Sequence, residues 1–219
     1  MKKVTLTFDN GPTPGVTERV LDILEKNGIK ATFMVIGRNL RDQAAHALLA
    51  DMAAQGHWIG NHSLTHSVAL GDNPDASYAE HEIAQTQHLI GSYGHPDKFF
   101  RPFGNLGQLG PHLLSEAALA YLVQHAFTCV LWNSIPHDWD DAAGWVERGV
   151  AHVRNQDWTV TVLHDIHDAS LPRLAEFIQR LRDEGVQFEQ SFPREVVAVR
   201  RGRIEALPDA YISGRIGSA

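Results

Sequence analysis

A single cysteine, Cys129, stands among the 219 residues, so the chain can close no intrachain disulfide and calls for no oxidising compartment. Its setting, "FTCVLW", reads as a buried strand. Long apolar runs are missing too. The N-terminal "MKKVTLTFDN" has two lysines but too short an apolar stretch for a signal peptide or a membrane span. With Met1 as the native start, the expectation is a cytoplasmic protein that engages no membrane. Basic residues are not in excess either: 19 Lys and Arg against 26 Asp and Glu leave a formal net charge of −7. That balance argues against a nucleic-acid partner and mainly supports solubility. No segment is low in complexity and no repeat of fixed period occurs, which sets aside disorder and solenoid architectures.

What is present is alternation. The β-rich runs "VTLTF", "ATFMVIG", "HWIGN", "KFFRP", "FTCVLW" and "TVTVLH" alternate with segments of helical period, the pattern of a βα-repeating α/β fold with a mostly parallel sheet. At this length a single (β/α) barrel of about seven strands is the expected solution. "TERVLDILEKNG" places Val20, Leu21 and Leu24 on one face and stops at Gly28, while "NLRDQAAHALLADMAAQG" stops at Gly56. Two further helices carry Ser77 and Ser170 as cap candidates. The expected organisation is a barrel domain over 1–201 and a weakly patterned C-terminal extension over 202–219. Within that extension, "LPDAYISGRI" offers apolar anchors for the barrel exterior or for a second subunit in a homo-oligomer.

Chemistry-bearing residues follow the strands. Asp9 follows "VTLTF", His62 follows "HWIGN", Arg101 follows "KFF", Asp138 lies shortly after "CVLW", and His164 closes "TVTVL". In a parallel βα barrel the C-terminal strand ends share one face, where active sites are built. The pair His62 and His66 in "HSLTH" can aim two imidazoles at one metal ion, although thirteen histidines make a spacing of four unremarkable and two solvated or core histidines fit the same pattern. His164 suits a general acid or base because its ordinary pKa lies near working pH; a hydrogen-bonded rim histidine is the plainer alternative. Arg101 can grip a carboxylate through a two-pronged contact or serve as a surface cation. Trp139 and Leu163 can wall a pocket or belong to the core.

In series, "TFDNGP", "GHWIGNHSLTH", "FRPFGN", "WNSIPHDW" and "VTVLHD" resemble the five motifs of the polysaccharide deacetylase family, also called carbohydrate esterase family four or the NodB-homology domain. Five ordered motifs from Val4 to Glu189 are far more specific than any one of them. The resemblance implies a distorted (β/α) barrel and a metal-dependent amidohydrolase that removes acetyl groups from N-acetylated sugars, with a small molecule or oligosaccharide as substrate. It implies Asp9 as general base, with Arg101 holding it, and His164 as the acid that protonates the leaving amine, tuned by Asp138. Trp139, Leu163 and Phe103 would contact the substrate. His62 and His66 would hold a divalent metal, zinc by expectation, with position 10 as third ligand.

Position 10 is the main departure. The family places an aspartate where this chain has Asn10, whose amide oxygen carries no charge and holds a cation less tightly. The arginine-to-glycine spacing in "FRPFG" is also one residue short, and Asn133 and Ile135 replace acids upstream of Asp138. Two other functions therefore stay open: a metal-independent hydrolase of cyclic imides, ureides or amides on the same fold, and a catalytically silent carbohydrate-binding relative. Asp9 and His164 count against the second, since a binder needs neither a base nor an acid.

Overall fold

A computed structural model describes residues 1–215. The remaining four residues of the expected extension, Ile216 among them, lie outside the described residues. Two compact units share the chain: residues 1–35, 39–59 and 132–193 make up the first, and 36–38, 60–131 and the segment from 194 onward the second.

The first unit is built on β1 (Lys3–Asp9), which pairs in parallel with β6 (Trp158–His164) along its whole length. On its other edge β7 (Gln187–Glu189) lies beside Lys3–Thr5 and β2 (Thr32–Val35) beside Thr7–Asp9, again in parallel. After its first residue, β1 is buried throughout, as expected of a parallel strand covered on both faces. Four helices belong here: α1 (Thr17–Lys26), α2 (Gln43–Ala54), α5 (Trp145–Arg154) and α6 (Leu174–Asp183). On α1 the buried stripe is Val20, Leu21 and Leu24, as the periodicity predicts. Trp145 of α5 packs on Phe177 of α6 with ring centroids 5.2 Å apart. Gly149 lets these helices approach: a Cβ there would lie 2.8 Å from the Phe177 ring.

Strand β3 (Trp58–Asn61) gives its first two residues to the first unit and its last two to the second. There β4 (Phe99–Phe100) pairs in parallel with the end of β3 and with β5 (Thr128–Val130). Beyond β5, β8 (Val197–Arg200) and β9 (Arg203–Ile204) continue antiparallel. Helices α3 (Ala76–Ile90) and α4 (Glu116–Gln124) complete this unit. Cys129 is fully enclosed in β5 as its setting implied, and burial pushes its thiol up to about 12, with the Arg101 charge opposing. The described part of the extension is fastened. Ile212 is buried and bridges Leu114, and Arg215 pairs with Glu116 and Asp209. No helix among the described residues is long and apolar enough to cross a membrane.

Both serine caps differ from expectation. Asp75 caps α3, accepting from the Ser77 backbone N–H at 2.9 Å and the Ser77 hydroxyl at 2.8 Å, because an acid two residues upstream competes better for the first orphan donors. Ser170 starts a 3-10 turn without capping it, and its hydroxyl donates to the His164 carbonyl at 2.9 Å.

His57, just before β3, is 5% exposed. Its Nδ1 accepts the Ala31 N–H at 3.0 Å, and its ring sits edge-on to Phe33. Burial, helped by the Lys30 charge, lowers its pKa from 6.5 to about 4. The unfolded chain therefore binds the extra proton first on acidification. Stability contributed by neutral His57 is full above pH 6.5 and is lost as pH falls toward 4, about 3 kcal/mol in all at roughly 1.4 kcal/mol per unit. Denaturant unfolding at pH 7 and 4.5 should show that extra loss in the wild type relative to His57→Gln; equal losses would contradict it.

Candidate active site

Asp9 and His164 are the last residues of β1 and β6 and are register partners across the parallel pair. Equal strand ends thus bring a carboxylate and an imidazole side by side, 3% and 8% exposed. Asp138, fully buried, holds the imidazole from behind: its Oδ1 accepts from His164 Nδ1 at 2.8 Å and its Oδ2 from the His164 backbone N–H at 2.8 Å. A carboxylate only accepts, so Nδ1 carries a proton and Nε2 is the nitrogen that exchanges one. Burial alone would lower the His164 pKa. The hydrogen bond to Asp138, and the charges of Asp138, Asp9 and Asp165, outweigh it and hold the value above 6.5. The Trp139 ring stands edge-on to His164 with centroids 4.8 Å apart, an apolar wall beside the imidazole. Leu163 is fully buried and pairs in register with Phe8.

After β1 the chain turns at once. Asn10 has φ 76, a left-handed conformation that asparagine tolerates better than most residues. The Asn39 side-chain amide donates to the carbonyls of Asn10 at 2.8 Å and Gly11 at 3.2 Å. Asn10 Oδ1 is buried with no hydrogen-bond partner among the described residues.

The second unit carries the two histidines. Their ring centroids are 5.0 Å apart, and Phe103 stacks on His66 at 3.8 Å. His62 Nδ1 donates to the Arg101 carbonyl at 2.8 Å; a carbonyl cannot donate back, so the proton of the neutral ring sits on Nδ1. The histidine loop is shaped by Glu82 of α3, a buried acid that accepts from the backbone N–H groups of Leu64 and Thr65 and from the Thr65 hydroxyl at 2.9–3.0 Å. Arg101 is itself fully buried, with Nε donating to the Val130 carbonyl at 3.2 Å.

No group of three or more His, Cys, Asp or Glu side chains among the described residues is arranged to hold a metal ion. Each unit by itself offers only neutral donors at the expected metal positions: the imidazoles of His62 and His66 in the second, and the amide oxygen of Asn10 in the first, which lacks a hydrogen-bond partner among the described residues.

Three residues escape a reading by motif. Asp165, directly after His164, is fully buried against the turn after Asp9, with Thr17 donating to it at 2.6 Å. Its adjacency to His164 was the available signal. Glu82 and Asn39 act across long sequence separations, and no local pattern marks them.

A carboxylate and an imidazole thus stand at adjacent strand ends, the imidazole braced by a buried carboxylate. The polysaccharide deacetylase family model matches residues 1–122, and the chain belongs to that family. It is 32% identical over 189 residues to the peptidoglycan-N-acetylmuramic acid deacetylase PdaC of Bacillus subtilis, covering 85% of this chain and 37% of that protein. To a peptidoglycan-N-acetylglucosamine deacetylase of Bacillus cereus it is 30% identical over 198 residues, covering 86% and 68%. Among solved structures, a family 4 acetyl xylan esterase from Clostridium thermocellum in complex with a cobalt ion superposes with a TM-score of 0.69 at 32% identity, over 86% of this chain and 88% of that one. The chain therefore has the carbohydrate esterase family four fold, and it spans little more than a third of PdaC.

Proposed function

We propose that the protein removes acetyl groups from N-acetylated amino sugars in a glycan, of the class that its peptidoglycan-deacetylating relatives act on. The observation that carries this reading is the Asp9–His164 pair with Asp138 behind it. Amide hydrolysis makes a C–O bond, breaks the C–N bond and must protonate a leaving amine. Asp9 takes a proton from the attacking water. His164, whose pKa its carboxylate neighbours raise above 6.5, delivers its Nε2 proton to the nitrogen as the tetrahedral adduct collapses to acetate and amine. Trp139 shields the acid from water. At the family's metal positions His62, His66 and Asn10 would hold a divalent cation, for which zinc is our choice; such an ion would supply polarisation of the acetyl carbonyl and a lowered pKa for bound water.

Asn10 favours one second reading, a metal-independent hydrolase of amides or cyclic imides. One experiment separates the two. Purified protein is incubated with N-acetylated peptidoglycan fragments, with chitooligosaccharides and with acetylated xylan, with added zinc or cobalt and after chelation. The expected result is acetate in equal amount with new primary amines, dependent on the cation. Undiminished amide cleavage after chelation supports the second reading, and release from the xylan ester alone overturns both.

A further inference from the structure

The end of β6 carries a buried acid that the reaction above does not use. Asp165 Oδ2 accepts from the Thr17 hydroxyl at 2.6 Å, and that hydroxyl in turn accepts the Thr13 N–H at 2.8 Å. Its Oδ1 is buried without a hydrogen-bond partner among the described residues. The carboxyl group rests on Gly11: a Cβ at that position would lie 2.1 Å from Oδ2 and 2.3 Å from Oδ1. Gly11 is not among the glycines with positive φ, so it is the carboxyl, and not the backbone, that requires glycine there.

We propose that Asp165 is a positioning residue for the proton-transfer pair: wedged on Gly11 and bonded by Thr17, its carboxylate locks the turn after Asp9 to the end of β6 and fixes Asp9 and His164 relative to each other. Both partners are the last residues of their strands, where the ladder of backbone bonds ends and fraying begins. Asn39 ties the turn from one side through the Asn10 and Gly11 carbonyls, and Ser170 ties His164 through its carbonyl. Asp165 joins these two fastenings. It is adjacent to His164 in the chain, touches Gly11, and reaches the first residue of α1, so displacement of any one moves the others. A buried acid with one oxygen unpaired is costly, and an apolar side chain of similar shape would pack there without that cost. What a carboxylate adds is charge near the imidazole. The carboxylates of Asp138, Asp9 and Asp165 all favour its protonated form.

The inference rests on the hydrolytic reading, but two readouts test it without any substrate. In thermal unfolding, Gly11→Ala should lower the melting temperature by about 5 °C or more in the presence of Asp165. Combined with Asp165→Ala, the same change should cost nothing relative to Asp165→Ala alone. In an NMR titration of the His164 ring, Asp165→Asn should lower the midpoint by about half a unit, since one of three nearby negative charges is gone, while Thr17→Ser, which keeps the hydroxyl, should leave it unchanged. A Gly11→Ala penalty that persists without Asp165, or a His164 midpoint that ignores Asp165→Asn, overturns the proposal. Absence of acetate release while both effects are seen counts against the hydrolytic reading and leaves the positioning role standing.

Discussion

His164→Ala and Asp9→Asn each lower turnover on the acetylated glycan by about a hundred- to ten-thousandfold, the usual cost of losing a positioned proton-transfer group. Asp9→Asn keeps the shape of the side chain and removes its charge together with its basicity, so its melting temperature is read alongside its rate. His164→Ala also leaves Oδ1 of the buried Asp138 without its partner, since only the backbone N–H bond to Oδ2 survives. An unpaired buried carboxylate oxygen is destabilising, and His164→Gln, which can still donate to Asp138, is the variant that separates stability from catalysis. The pH profile adds a second check. His164 must be protonated to act as acid, so the alkaline limb of kcat lies above 6.5, where its carboxylate neighbours hold its pKa. Asp138→Asn removes the strongest of them and should move that limb toward acid. Rates within threefold of the parent in His164→Gln, or an unmoved limb in Asp138→Asn, would sink this assignment.

Local pattern made the strand ends legible. "VTLTF" and "TVTVLH" each finish on their polar residue because a parallel strand is buried until it leaves the sheet, and the register of β1 on β6 sets Asp9 opposite His164. Helix stops at Gly28 and Gly56 were equally local, since both glycines take positive φ just after the last turn. The caps were not: Asp75 and Ser77 both satisfy the cap preference, and only the path of the chain decides between them. Asp165 shows the deeper limit. Its partners Gly11 and Thr17 lie some 150 residues away in the chain, so a sequence displays an acid beside a histidine but not the wedge it forms. Glu82 is likewise an ordinary helical glutamate until the fold turns it onto the Leu64 and Thr65 N–H groups.

Asn10→Asp should tighten a divalent cation by on the order of tenfold or more, because a carboxylate at the ligand position adds a full charge facing the ion where the amide offers only a dipole. The substitution is nearly isosteric, and aspartate, like asparagine, tolerates the left-handed φ of 76 found there. The buried Asn10 oxygen has no hydrogen-bond partner among the described residues. Calorimetry with zinc, or competition with a coloured chelator, reads the affinity directly and needs no turnover. Without metal the same charge is a liability. It stands next to Asp9, and two neighbouring carboxylates in a confined space repel, which raises one of their pKa values and lowers stability at neutral pH. Asn10→Asp should therefore melt below the parent in chelator and rise above it when zinc is added, a crossing that a purely structural effect would not produce. His62→Ala supplies the other half of the test, since it removes the imidazole whose tautomer the Arg101 carbonyl fixes and should abolish the zinc response in both backgrounds. If Asn10→Asp binds zinc no better than the parent and His62→Ala leaves amide cleavage untouched, the cation has no place in this reaction, and the Asp9–His164 pair performs the hydrolysis on its own.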